Sequence, residues 1–189
     1  KWNLSRFAEC LIPMIDKDQD KAIKLATEII STFEKKYEIK WLNMMRDKLG
    51  LFGTDEKDKF LILDLLTLMH QKKVDYTNTF CHLMNFEIQQ NNDYEDSDFQ
   101  NWKKRWKERL LTNNNSPEKY MKLMRSVNPL VIPRNHKVEE ALNEANKGNL
   151  KFINQLLEIL NKPYIEQKNI FNYQIPTQSS EQYQTFCGT

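Results

Sequence analysis

Cysteine is the residue type in this chain with the clearest capacity for chemistry. There are three, Cys10, Cys81 and Cys187. They are far apart and odd in number, which fits neither a disulfide framework nor a zinc site. Cys187 stands third from the end, beside Gly188. A thiol in an accessible tail can reach another cysteine or an oxidant, so its chemistry would be redox. Taken by itself, it reads as an incidental free cysteine.

The other candidate constellations fail on spacing. Asp16, Asp18 and Asp20 alternate like the start of a calcium loop. The sixth position, however, is Lys21 rather than Gly, and the twelfth is Thr27 rather than Glu, so helix capping is the better reading. His70, His82 and His136 share no metal-ligand spacing and read as polar residues near helix ends. Gly50 and Gly53 do not make a phosphate-cradling loop, since no Lys-Ser or Lys-Thr follows them. No nucleophile–base pair can be assembled from spacing. The run Lys103, Lys104, Arg105, Lys107 and Arg109, interleaved with Trp102 and Trp106, has the composition of a nucleic-acid surface. Yet the two tryptophans are four apart and continue to Leu110, which places them inward. The basic residues, Arg109 among them, then form the solvated face of an amphipathic helix. The chain is therefore expected to hold no catalytic, cofactor-binding or metal-binding residue, and to have no nucleic-acid partner.

The elements that would position these groups are helices. Glycines number 4 and prolines 6, too few for a sheet protein with many tight turns. Apolar residues at i, i+3, i+4, i+7 predict a helix over 2–15 with Leu4, Phe7, Ala8, Leu11 and Ile15 inward. A second is expected over 19–37 with Ala22, Leu25, Ala26, Ile29 and Phe33 inward, and a shorter third over 41–49, closed by Gly50 at the left-handed cap position. The stretch 57–70 is apolar nearly all round and predicts a central helix buried on most sides. Asp75 is placed to cap a helix whose inward residues are Phe80, Leu83 and Met84. The polar run 91–98 reads as a loop, and Ser97 with Gln100 has capping-box spacing for a helix carrying Phe99, Trp102, Trp106 and Leu110. After a break at 113–115, Ser116-Pro117 opens another helix.

The most informative stretch is NPLVIPRNHKVEEAL, from Asn128 to Leu142. Pro129 forces Asn128 out of the helical region, and Pro133 does the same to Ile132. Leu130, Val131 and Ile132 are too few for a helix. Asn135 is expected to cap the next one, with Val138, Ala141, Leu142 and Ala145 on one face. A buried, twice-kinked connector of this kind pins two halves of a helical domain together. Gly148 and Asn149 then separate that helix from a last stripe of Leu150, Ile153, Leu156, Leu157 and Leu160, ended by Pro163. The fold expected is all-α, a multi-helix orthogonal or bundle-like domain over 1–161. An extended irregular tail over 162–189, tied down by Tyr164, Phe171, Tyr173, Tyr183 and Phe186, would carry Cys187.

At 189 residues the chain suits one domain, burying roughly 70% of its unfolded surface. Lys and Arg number 28 against 26 Asp and Glu, so there is no global field to attract nucleic acid or membrane. No apolar run approaches the ~20 residues that cross a bilayer, no signal peptide is visible, and a reducing cytoplasm is the default expectation. The chain starts at Lys1, directly in a helical pattern, and is expected to be a piece of a longer protein.

Several ordered blocks resemble the selenoprotein O family. They are Trp2-Asn3-Leu4 through Pro13, Lys48-Leu49-Gly50-Leu51, Val74 through Phe80, Trp102 and Trp106 with Arg109-Leu110, Asn128 through His136, Lys162-Pro163-Tyr164, and Tyr183 through Thr189. Of these, 128–136 is the most specific. The resemblance implies a kinase-like parent that binds ATP in a flipped orientation with Mg2+ and transfers AMP to hydroxyl side chains of proteins. The family's nucleotide- and metal-binding residues lie before the first matching block, in an upstream kinase-like lobe that would be this segment's partner. None is carried over, and the parent's protein substrates are not identified by these blocks. The implied helices belong to the kinase C-lobe and to a family-specific helical region. Cys187 occupies the place of the family's selenocysteine or its cysteine replacement, which the resemblance links to redox control through a cysteine of the kinase-like core. Gly188 and Thr189 stand where one form of the family ends in two serines. A free-standing helical interaction module without enzymatic role is the alternative expectation.

Overall fold

The structure is a computed structural model, and it describes residues 1–85, 92–112 and 116–177. Among them there are ten α-helical segments, one 3-10 turn and no strand, so the all-α expectation holds. The chain divides into two compact units, 1–46 and 47–189.

In the first unit, α1 (Trp2–Ile15) and α2 (Gln19–Ser31) pack against each other. Asp18 caps α2, its carboxylate accepting from the N–H groups of Asp20 (3.0 Å) and Lys21 (3.2 Å), and Asp16 pairs with Lys21. The alternating aspartates are thus spent on a helix start, as their spacing suggests. Ala22 and Ala26 of α2 are buried, whereas Leu25 and Ile29 are exposed, and α1 buries no residue at all. The single long helix expected over 19–37 is broken at Thr32. The hydroxyls of Ser31 and Thr32 donate to Glu28 O and Ile29 O, both at 2.7 Å, and compete with the helical ladder there. A new helix, α3 (Phe33–Lys48), takes in the segment expected as a separate short helix; its last two residues belong to the second unit.

The second unit is built around two indole anchors. Gly50 follows α3 at φ +70°, and a Cβ there would meet Met124 Cγ at 3.0 Å, so both backbone and space call for glycine. In α6 (Ser97–Leu111), Phe99, Trp102, Trp106 and Leu110 are all buried, as their period requires. Trp102 Nε1 donates to Leu61 O (2.8 Å) in α4 (Asp58–Lys72), and Trp106 Nε1 donates to Leu49 O (2.9 Å) just past α3. Each ring therefore fills the core and pairs its own buried N–H with a backbone carbonyl. The α4 helix buries one face, through Leu61, Ile62, Leu65 and Met69; Phe60 and Leu63 point to solvent, contrary to the nearly all-round burial expected from composition.

Two caps differ from the sequence reading. Asp96, not Ser97, caps α6: it accepts from Asp98 N–H (2.9 Å) and is held by Lys72 Nζ (2.8 Å). Its charge suits a helix N-terminus better than a hydroxyl does. The segment before it is a 3-10 turn over Asn92–Glu95 rather than a loop, and it sinks Tyr94 beside Phe99. The helix α7 (Pro117–Val127) ends where Asn128 turns extended, and α8 (Asn135–Asn146) starts one residue earlier than expected. Arg134 occupies the cap position at ψ 128°, its carbonyl accepting from Lys137 and Val138, and Asn135 is already helical. α8 and α9 (Lys151–Leu160) form a hairpin through Gly148 at φ +84°, with Asn149 Oδ1 accepting from Lys151 N–H. The face α9 buries is Leu156 and Ile159, so Leu150 and Leu157 of the expected stripe are exposed.

Candidate functional site

Arg109, which the charge run places on the solvated basic face, turns inward in the structure. It is buried, with Nε on Asp58 Oδ1 (2.7 Å), Nη2 on Asp58 Oδ2 (3.2 Å) and Phe52 O (3.2 Å), and Nη1 on Thr112 Oγ1 (3.1 Å). Asp58 opens α4 and accepts Asp55 N–H as well. A run of charges along a helix gives no sign that one of them turns inward; that depends on a carboxylate 51 residues away. Arg105 does sit on the solvated face, pairing with Asp64 at 2.8 Å.

The densest polar geometry lies at the kinked connector, and it draws in Asn78 and Gln174, which no sequence pattern marks. α5 (Tyr76–Leu83) is capped by Asp75, whose Oδ1 accepts from Asn78 N–H at 2.8 Å. The same carboxylate takes both ends of the Arg134 guanidinium, at 2.6 and 2.9 Å. Burial by itself would raise the Asp75 pKa, but the Arg134 and Asn78 bonds together hold it below its ordinary 3.8. Arg134 Nη2 reaches further, to Gln174 O (3.0 Å) and Asn78 Oδ1 (3.3 Å), and Asn78 Nδ2 also donates to Gln174 O (3.2 Å). Gln174, in the short α10 (Phe171–Gln174), returns a bond from Nε2 to Leu130 O at 2.8 Å. The connector is tied at its other side by Leu130 N–H to Pro163 O (2.7 Å) and by buried Asn128, whose Nδ2 donates to Lys48 O (2.8 Å) and Met124 O (2.9 Å).

The segment after Pro163 was expected to be held by its aromatic residues. Tyr164 and Phe171 are exposed instead and Tyr173 is half-buried; the most deeply buried residue of the segment is Gln174, an amide with no pattern to betray it. Tyr183, Phe186 and Cys187 lie outside the described residues.

Beneath the connector sits Cys81, fully buried, its thiol directed at Pro129 O (3.7 Å) and Leu130 O (3.9 Å). Burial first, and the Asp75 charge second, push its pKa up to about 11, so the thiol stays protonated and inert as it stands. Cys10 is exposed on α1. Lys48 is buried with its ammonium 4.3 Å from the Phe80 ring and 5.4 Å from the Tyr76 ring, and burial lowers its pKa.

The three histidines stand on three helices, near their ends. His70 is exposed on α4; His82 stacks on Tyr94 at 4.2 Å; His136 lines a cleft of about 730 Å³ between α8, α9 and the segment after Pro163. Burial, then Lys137 and Arg134, hold His136 below its ordinary 6.5. Among the described residues no group of three or more His, Cys, Asp or Glu is gathered for a metal ion, and no helix is long and apolar enough to cross a membrane.

Comparison with known proteins adds what this geometry cannot. A family described as "Protein adenylyltransferase SelO" matches residues 1–161. A "Protein nucleotidyltransferase YdiU" from Pelagibacter ubique (strain HTCC1062) is 55% identical over 190 residues, covering 100% of this chain and 39% of that protein. Proteins of the same name from Clostridium perfringens (strain SM101 / Type A) and Alcanivorax borkumensis are 42% and 44% identical over the whole chain, covering 39% and 40% of their own lengths. The chain thus spans about two-fifths of the length of the curated relatives it matches.

Proposed function

Because the chain belongs to the protein adenylyltransferase SelO family, we propose that it is the C-terminal helical part of an enzyme that transfers AMP from ATP to hydroxyl side chains of proteins. The observation that carries this is the 55% identity over the whole chain to a relative of which it covers only 39%. In this reading the ATP- and Mg2+-binding residues stand in a preceding kinase-like lobe, and the helices described above buttress that lobe. No residue of this chain is assigned to catalysis. Transfer of a nucleotidyl group depends on positioned metal and charge, and the hydrogen bonds at the connector join this chain's own residues to one another.

The first unit supports the partner lobe. α1 buries nothing, and Trp2, Phe7 and Met14 stand in solvent at 72%, 61% and 81% exposure. A groove of about 800 Å³ with Ala8, Ile12, Pro13, Ile23 and Ile30 in its walls runs between α1 and α2. An apolar surface of that extent is expected where a further part of the same protein packs. In the same reading residues 1–161 form the helical part and 162–189 the tail, with Cys187 as its redox thiol and the cytoplasm as its compartment.

The test uses ATP labelled in the adenosine, with Mg2+ and a mixture of protein acceptors. The full-length protein is expected to place label on protein hydroxyls, and the 189-residue chain alone to place none and to show no heat of Mg-ATP binding in calorimetry. Label transfer or tight nucleotide binding by the chain alone overturns the assignment.

A further inference from the structure

The first two helices each carry an apolar stripe that the first unit does not bury. We propose that these stripes are the faces the preceding lobe covers, and that residues 1–46 complete their fold only when it does. The inference rests on the reading that such a lobe precedes this chain. It goes beyond that reading by naming the contact faces and by making the folding of this one unit conditional.

In α1, Leu4, Phe7, Leu11, Met14 and Ile15 follow one another at three- and four-residue steps, so they share a face. Period marks that face as the one to bury. Yet Leu4, Phe7, Met14 and Ile15 are exposed and Leu11 is only half-buried. The groove between α1 and α2 is lined by a different flank of α1, that of Ser5, Ala8, Glu9 and Ile12. α2 repeats the pattern. Ala22 and Ala26 are buried, whereas Leu25 and Ile29, on the same stripe, are exposed, Ile29 at 68%. The charged neighbours do not cover these faces: Arg6 pairs with Glu9 on its own helix.

The unit is poorly equipped to stand by itself. Its buried residues are Ala22, Ala26, Met45 and Arg46, and the last two lie beside the boundary with the second unit. Folding units of a few tens of residues bury too little apolar surface to be stable without outside help. Helices of about 12–15 residues are marginal in water unless packed. α1 has 14 residues and α2 has 13, and Pro13 removes a rung from the α1 ladder. Residues 47–177 differ, since Phe80, Trp102 and Trp106 give them a core of their own.

The preceding lobe is the occupant that fits. The 55%-identical relative is covered by this chain over only 39% of its length, so the rest of such a protein lies outside this segment. A lobe joined in the same polypeptide acts at an effective concentration on the order of millimolar, an advantage a second copy lacks.

The experiment reads hydrogen exchange over 2–31 in the 189-residue chain and in the full-length protein. The α1 and α2 amides are expected to exchange at least about a hundredfold more slowly in the full-length protein, while those of α4 and α6 differ little between the two. Phe7→Ala and Ile29→Ala in the full-length protein should each remove about tenfold or more of that protection. Lys24→Ala, exposed on α2 off the stripe, should remove none. In the 189-residue chain Phe7→Ala and Ile29→Ala should leave the urea midpoint unchanged. Equal protection of α1 and α2 in both proteins overturns the proposal, because the unit is then complete without the lobe. Fast exchange in both overturns it too, because the faces are then free. So does protection in the 189-residue chain that rises with its own concentration, which makes a second copy the occupant. None of these readouts uses nucleotide, so the proposal can fail while AMP transfer by the full-length protein stands.

Discussion

Trp106 offers the most searching single perturbation, because its ring does two separable jobs. It is 3% exposed, stacks on Trp102 at a centroid distance of 5.9 Å, and donates Nε1 to Leu49 O, a carbonyl on a residue with no exposed surface. An aromatic side chain buries roughly 150–250 Å². At about 25 cal/mol per Å² that burial is worth about 4–6 kcal/mol, in line with the roughly 3–5 kcal/mol that buried aromatics lose on truncation to alanine. Trp106→Ala should therefore cost about 3–5 kcal/mol, a large part of the ~5–15 kcal/mol a domain has in total. Trp106→Phe keeps most of the apolar area but leaves the Leu49 carbonyl buried and unpaired, at about 1–3 kcal/mol. Urea unfolding followed by far-ultraviolet circular dichroism reads both. A loss under about half a kcal/mol for Trp106→Ala, the scale of an ordinary surface change, would put the tryptophan stripe in water and refute the packing argument. A phenylalanine variant as damaging as the alanine one would show that the hydrogen bond, not the ring, carries the site.

Three more predictions follow from named contacts. Arg109→Met leaves the Asp58 carboxylate buried without its guanidinium and should lower stability by about 3–5 kcal/mol, with Asp58→Leu and Arg109→Met together costing clearly less; equal losses in the single and double variants would contradict a buried, coupled pair. Asp75 has a folded pKa below its unfolded value, so its contribution to stability is full above pH ~4 and disappears as pH falls through the folded value. The urea midpoint should thus drop more steeply between pH 5 and 3 for the parent than for Asp75→Asn, and parallel curves would dismiss the Arg134 bond as the cause. In the full-length protein, Cys187→Ser should abolish the dependence of AMP transfer on reductant; an unchanged dependence removes the redox role from the tail.

How much of this was legible in the sequence depended on whether a residue's partner was near it in the chain. The capping roles of Asp18 and Asp75, the turn at Gly50, the inward face of α6 and the kink at Asn128-Pro129 all follow from local sterics and period, and the structure places them accordingly. The break at Ser31-Thr32 was local too, but two short hydroxyl bonds decided it against a continuous apolar pattern.

The amino-acid order by itself determined the helical class and the connector, because helix period and proline geometry act within a few residues. Only the tertiary structure decided that Arg109 turns inward to Asp58, that α4 buries one side, and that the Gln174 amide reaches the Leu130 carbonyl of the connector. Each of these needs a partner 40 or more residues away or a neighbouring helix, and no local rule encodes which polar group will find one. The burial of Cys81 belongs to the same class: its thiol is covered by the carbonyls of a connector 48 and 49 residues further on.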